Sequence, residues 1–211
     1  DAGLVTFLDF LNKGDCQTPI LGANVVPKVG VSPLTATSAT DYIQPYTIIN
    51  RRFGMKIGVI GIDIASKTKN SSSPDESTLF LDETETAQKY IDELTLKGVN
   101  HIILLTHYQY RNDLKLAQNL RGVDVIIGGD SHSLLGNFEE LGLNSEGPYP
   151  TVVKNADGTK VCVAQAWQYS QIVGELNIEF TNDGVVKTCK GLPHMMLGDS
   201  FKRKNADGNR V

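Results

Sequence analysis

Two histidines and one aspartate carry the chemistry that this sequence most readily offers. The chain has 211 residues and only four histidines. His107 directly follows the apolar run 102–106, and Asp130-Ser131-His132 follows the apolar run 123–127 after Gly128-Gly129. Between the two runs, residues 112–121 place Leu114, Ala117 and Leu120 at helical spacing, with Asn112 as the candidate cap. Strand, helix and strand in so short a span predict a parallel pair joined by a helical crossover. His107 and the Asp130–His132 segment then stand at the carboxyl ends of neighbouring strands, where open α/β sheets place their ligands. An extended backbone at 130–132 sends Asp130 and His132 out on one side, and Gly128-Gly129 lets the chain turn sharply at no steric cost. Two imidazoles and a carboxylate suit a borderline divalent ion such as Zn, Mn, Fe or Co. A lone histidine at a strand end is usually structural, so the weight rests on the cluster. His101, which opens a strand, and His194, beside Met195-Met196, read as structural.

The elements that must position these groups follow from periodicity and punctuation. Residues 3–13 place Leu4, Leu8 and Leu11 on one helical face, with Gly14 as the stop. Residues 19–26 read as a buried strand, and 27–45, interrupted by Pro27, Pro33 and Pro45, as a surface excursion. Residues 46–50 and 55–62 flank Arg51-Arg52-Phe53-Gly54 as a hairpin. The Ser-rich stretch 66–78 reads as a loop. Asp82 then opens a helix that carries Ala87, Tyr90, Ile91 and Leu94 and ends at Gly98. After residue 150 the style changes to two hairpins, turning at Asn155-Ala156-Asp157-Gly158 and at Thr181-Asn182-Asp183-Gly184. Residues 192–211 have no clear period and read as a linker out of the domain.

Composition excludes several classes of function. Net charge is −4, with 20 Lys+Arg against 24 Asp+Glu, so no basic field favours a nucleic acid polymer. No run approaches the ~18 apolar residues of a membrane span. Cys16, Cys162 and Cys189 have no C-x-x-C spacing, which leaves zinc ribbons and thioredoxin-type redox chemistry unsupported. Three cysteines allow either three buried thiols or one disulfide plus one thiol whose partner lies elsewhere.

The stretch LLTHYQYRNDLKLAQNLRGVDVIIGGDSHSLLG closely resembles the calcineurin-like metallophosphoesterases, and among them the 5′-nucleotidase group. Thr106-His107-Tyr108 resembles the family's segment that supplies one histidine ligand, and Gly128-Gly129-Asp130-Ser131-His132 its Gly-Gly-His-Ser-His/Gln/Asn segment. Leu21-Gly22-Ala23-Asn24-Val25, Lys56–Gly61, Ala164-Gln165-Ala166 and Gly174-Glu175-Leu176 resemble its flanking strands, so the likeness covers nearly the whole chain. One departure stands out. Asp130 occupies the place of the family's first histidine, bringing oxygen ligation and a negative charge that favours metal and disfavours phosphate.

The resemblance implies an α/β fold: half of a layered αββα sandwich, with parallel strands and crossover helices followed by antiparallel hairpins. On it, residues 1–191 are the C-terminal half of a catalytic domain and 192–211 lead toward a further domain. Asp1-Ala2-Gly3 resembles the end of the family's Gly-Asn-His-Glu-Phe-Asp motif, which makes Asp1 the residue that orients a catalytic histidine lying outside this chain. The implied activity is hydrolysis of phosphomonoesters, nucleoside 5′-monophosphates foremost, at two divalent metal ions. His107 and Asp130 would hold one ion and His132 the other. The implied partner is the N-terminal half of the same domain, without which these 211 residues are expected to be inactive. The implied location is periplasmic or extracellular, and the export route favours a Cys162–Cys189 disulfide, with Cys16 free or paired elsewhere. The competing readings are a non-catalytic structural or binding piece that retains the fold, and a hydrolase of the same superfamily acting on cyclic nucleotides, sugar phosphates or a sulfur-bearing substrate.

Overall fold

A computed structural model of the chain describes residues 2–11 and 18–198. Asp1 and Cys16 lie outside the described residues. In chain order the elements are α1 (Ala2–Leu11), β1 (Ile20–Leu21), β2 (Val25–Val26), β3 (Ile43–Gln44), β4 (Tyr46–Asn50), β5 (Lys56–Asp63), α2 (Ala65–Ser71), β6 (Leu79–Phe80), α3 (Glu83–Leu96), β7 (His101–His107), α4 (Tyr110–Asn119), β8 (Val125–Ile127), β9 (Thr151–Lys154), β10 (Lys160–Ala164), β11 (Ile172–Phe180) and β12 (Val186–Met195). Six strands form one sheet in the order β4-β5-β7-β8-β10-β9. Its centre, β5-β7-β8-β10, is parallel, and the rim strands β4 and β9 are antiparallel to their neighbours. The fold is therefore the expected α/β type, with parallel strands, crossover helices and later antiparallel hairpins.

The alternation along each central strand explains the layering. Ile60 and Ile62 of β5, Ile102 and Leu104 of β7, Ile126 of β8, and Val161 and Val163 of β10 share one face. They pack against Ala87, Ile91 and Leu94 of α3 and Leu116 and Ala117 of α4. Each side chain of Leu or Ile size buried there contributes about 1.5–3 kcal/mol. Asp82 caps α3 by accepting a hydrogen bond from the Glu85 amide at 2.8 Å, and the helix closes before Gly98, whose φ is 73°. On the opposite face the β11–β12 hairpin covers one half of the sheet, where Leu176, Ile178 and Phe180 meet Ile103, Val125, Ile127 and Cys162. The other half of that face is an open groove lined by Ile49, Val59, Ile103 and Leu105.

Three local expectations are corrected. Residues 19–26 do not form one strand: a turn at Ala23-Asn24 splits them into β1, which pairs with β3, and β2, which pairs with β6. The turn lets the fully buried Asn24 clamp the end of β5, its amide donating to the Asp63 carbonyl at 2.8 Å while its side-chain oxygen accepts from the Asp63 amide at 2.9 Å. Part of the Ser-rich stretch read as a loop is helix α2, a short polar helix with no buried residue to give it an apolar period. Strand β12 runs through Met195, past the point at residue 192 where the sequence reads as leaving the domain.

Cys162 of β10 and Cys189 of β12 are joined by a disulfide with α-carbons 6.2 Å apart, fastening the hairpin to the sheet across 27 residues of sequence. Removing it by Cys162→Ala/Cys189→Ala should lower the unfolding free energy by about 3.5 kcal/mol, the chain-entropy value for a loop of this length. Denaturant unfolding of the two proteins, with and without reductant, checks this. A reductant-insensitive midpoint in the wild type would show the bond to be absent.

Candidate metal centre

His107 ends β7, and the parallel register sets it directly beside Asp63, the last residue of β5. The His107 ring, 62% exposed, stands between two carboxylates: Nδ1 is 3.7 Å from Asp63 Oδ1, and Nε2 is 3.7 Å from Asp130 Oδ1. Asp130 is the buried member, with 5% of its side chain exposed. The Lys67 ammonium of α2 contacts Asp130 Oδ1, and the Gln109 amide donates to Oδ2 at 2.9 Å. Burial alone would raise the Asp130 pKa. Hydrogen bonds from Lys67 and Gln109, with the His107 charge, outweigh that and hold the carboxyl below its ordinary value.

The segment after β8 is not extended, which corrects the expectation that Asp130 and His132 leave on one side. Both adopt left-handed backbone angles, φ 67° at Asp130 and 53° at His132. Asp130 turns toward His107, whereas His132 packs edge-on against the Tyr169 ring, centroids 5.8 Å apart. The glycines serve a different purpose from the one expected. Neither Gly128 nor Gly129 has a positive φ. A Cβ at Gly128 would fall 2.2 Å from the Asp113 carboxylate, and one at Gly129 would fall 3.2 Å from the Thr106 carbonyl. They are small because the segment runs against the strand and helix behind it. Gln165 holds the bend, its amide donating to the Gly129 carbonyl at 2.9 Å while its oxygen accepts from the Ser133 amide and from the Ser131 hydroxyl. Ser131 in turn accepts from the Tyr110 amide at 3.0 Å, tying the bend to the start of α4.

The donor chemistry fits a divalent ion in part. One ion with ligand bonds of about 2.0–2.2 Å spans a nitrogen and an oxygen at the observed 3.7 Å, so His107 Nε2 and Asp130 Oδ1 suit two of its ligands. Asp63 lies beside Nδ1 at 3.7 Å, outside hydrogen-bond distance, and its second carboxylate oxygen has no hydrogen-bond partner. Among the described residues no group of three or more His, Cys, Asp or Glu side chains is arranged to hold an ion, so His132 is not gathered with the other two. The remaining histidines have other partners: His101 packs at a tilt against the Phe180 ring with centroids 4.3 Å apart, and His194 pairs with Glu175 across the hairpin at 3.0 Å.

Sequence reasoning missed Asp63, Lys67, Gln109 and Gln165. The strand-end rule that found His107 also reaches Asp63, because MKIGVIGID is the neighbouring parallel run. Lys67 and Gln109 gave no such signal, lying in a polar stretch and at a position with φ 76° just before α4. Gln109 also takes the capping position expected of Asn112. Asn112 lies inside α4, its side chain donating to the Tyr108 carbonyl at 2.9 Å.

Comparison with known proteins points in one direction. No family model matches the chain. A probable 5′-nucleotidase of Treponema pallidum (strain Nichols) is 38% identical over 208 residues, which are 97% of this chain and 33% of that protein. The solved structure of a 5′-nucleotidase precursor from Thermus thermophilus is 39% identical, with a TM-score of 0.80 over 92% of this chain and 36% of the other. A calcineurin-like phosphoesterase from Bacillus subtilis shares the fold at 22% identity, with a TM-score of 0.59 over 85% of this chain and 56% of the other. The chain spans about a third of the length of the curated relatives it matches.

Behind the site, Asp113 of α4 is fully buried. One oxygen accepts from the Thr106 hydroxyl at 2.7 Å, and the other has no hydrogen-bond partner. Burial pushes its pKa up from 3.8 to about 7, and likewise that of Asp124, which accepts from the Ile102 amide at 2.8 Å. Folding therefore takes up protons at these groups between pH 4 and 7, so their contribution is complete below pH 4 and is lost as pH rises toward 7. Asp113→Asn should flatten the fall in stability across that range, measured as urea midpoints from pH 4 to 8. An unchanged slope would place the proton elsewhere.

Proposed function

We propose that the chain, 36–38% identical to 5′-nucleotidases over nearly its whole length, belongs to the 5′-nucleotidase group of the calcineurin-like metallophosphoesterases and supplies part of a two-metal site that hydrolyses phosphomonoesters, nucleoside 5′-monophosphates foremost. The observation that carries the reading is the His107–Asp130 pair just past the ends of adjacent parallel strands, 3.7 Å apart, with the His107 ring open to solvent and the Asp130 carboxylate buried behind it. Two divalent ions of the Zn, Mn, Fe or Co type, when bound, supply Lewis-acid stabilisation of the phosphoryl group and a nucleophilic water. Every other task falls to side chains. His107 Nε2 and Asp130 Oδ1 hold one ion, and His132 contributes to the other. Asp63 stands beside Nδ1 of His107 as the acceptor for an Nδ1–H, the tautomer that leaves Nε2 free to ligate. Gln109 fixes the rotation of the Asp130 carboxylate. Asp1 orients a histidine supplied by the preceding part of the polypeptide.

In this reading the chain through β12 is the C-terminal half of a catalytic domain, the preceding half of the domain is the partner, and the residues after Met195 lead to a further domain. The open groove over β4, β5 and β7 supports it, since Ile49 and Leu105 are 38% and 43% exposed on an otherwise apolar sheet face. A periplasmic or extracellular location is supported by the Cys162–Cys189 disulfide, a bond that persists in oxidising compartments. No helix among the described residues is long and apolar enough to cross a membrane.

In the full-length protein, His107→Ala, Asp130→Ala and His132→Ala should each lower bound metal and turnover of AMP and p-nitrophenyl phosphate by orders of magnitude. Metal content by mass spectrometry and assays with Mn²⁺, Zn²⁺ and Co²⁺ are the measurements. Wild-type metal content and turnover in any of the three would remove that residue from the site. Residues 1–211 alone should show no turnover above background until the preceding half of the domain is added. Robust hydrolysis by the 211-residue chain alone would overturn the shared-site reading.

A further inference from the structure

The oxygen that a metal ion would take from Asp130 already has a cation against it. Asp130 Oδ1 faces His107 Nε2 at 3.7 Å, and the same oxygen is in contact with the Lys67 ammonium. The two ends of this ion pair differ in setting. The Asp130 side chain is 5% exposed and the Lys67 side chain 47%. A carboxylate so far removed from water needs a compensating charge, and losing it costs far more than at the surface. Lys67 provides that charge from a flexible four-carbon stem half in solvent, on a short helix with no buried residue. Gln109, by contrast, holds the other oxygen at 2.9 Å and can keep the carboxylate aimed at His107 when the ammonium leaves.

We infer that Lys67 is an internal counter-ion of the metal centre, occupying Asp130 Oδ1 in the metal-free protein and exchanging with the divalent ion that binds there. This rests on the metal-centre reading above and adds to it a residue that sets affinity without being a ligand. An ammonium and a dication at one oxygen repel each other strongly at such range. Metal uptake is then an exchange in which one cation leaves as another arrives, and its affinity depends on the charge at position 67. The pair also explains how an aspartate serves where the family's segment has a histidine. With the ion absent, Asp130 and Lys67 together present no net charge, as a neutral imidazole would.

A stay that merely props Asp130 in place makes the opposite prediction, because its loss would disorder the ligand and weaken binding. The test uses the full-length protein, stripped of metal and titrated calorimetrically with Mn²⁺ or Zn²⁺. Lys67→Met and Lys67→Gln should bind the ion about tenfold more tightly or better than wild type, the scale set by removing a unit charge beside the site. They should also show a larger metal-induced rise in Tm, since their metal-free form leaves Asp130 uncompensated. Lys67→Arg, which keeps the charge, should bind within about threefold of wild type. Unchanged or weaker affinity in the two neutral variants would overturn the inference while leaving the metal centre standing. A wild-type protein that takes up no divalent ion at all would overturn the metal centre itself, and the counter-ion role with it.

Discussion

The structure depends on the parallel register of β5, β7 and β8. Parallel pairing sets Asp63 against His107 and brings the segment after β8 to the same edge of the sheet. No side chain at that edge reaches its neighbour through local sequence. Asp63, His107 and Asp130 meet only because three apolar runs are held in step by hydrogen bonds and by α3 and α4 packed on one face. The register is itself secured by burial. A one-residue slip in β7 would turn Ile102, Leu104 and Thr106 away from the helices and face His107 into the core.

The polar groups around the site are buried supports rather than reactive ends. Asn24 clamps both backbone groups of Asp63, Gln165 spans the bend at 129–133, and Thr106 satisfies one oxygen of Asp113. Each is deeply buried and hydrogen-bonded. They allow Asp130 and His132, neither a glycine, to sit in left-handed backbone conformations that cost roughly 1–3 kcal/mol each. Strain concentrated beside a functional edge and compensated by the surrounding network is a usual arrangement in enzymes, and here it aims Asp130 at His107.

Much of this was legible in the sequence, for identifiable reasons. The run HIILLTH has no polar face, which marks a strand inside a sheet with one face on the helices and an apolar second face, part of it the open groove, and the GGDSH segment after VDVII marks the edge where ligands gather. The hairpins after residue 150 announced themselves through their Asp-Gly turns. What stayed hidden has a common cause. Helix α2 has no apolar period because it buries nothing, so nothing in the sequence marks Lys67 as reaching a buried carboxylate. The left-handed angles at 130 and 132 are dictated by what packs behind Gly128 and Gly129, and a glycine pair reads the same whether it is present to bend or to make room. The split of 19–26 into two strands reflects a single buried asparagine, and nothing in the spacing of an apolar run reports what its one polar member will bind.

The covalent tie between β10 and β12 bears on how copies of this chain can meet. A two-stranded hairpin that lies on a sheet without joining its hydrogen-bonded ladder is the kind of element that neighbouring molecules can trade, each lending its hairpin to the other at little energetic loss. The bond from Cys162 to Cys189 removes that freedom once it has closed within one chain. Strand exchange through β11–β12 is then confined to the interval before oxidation. The order of folding and bond formation therefore decides whether copies stay separate or become entangled.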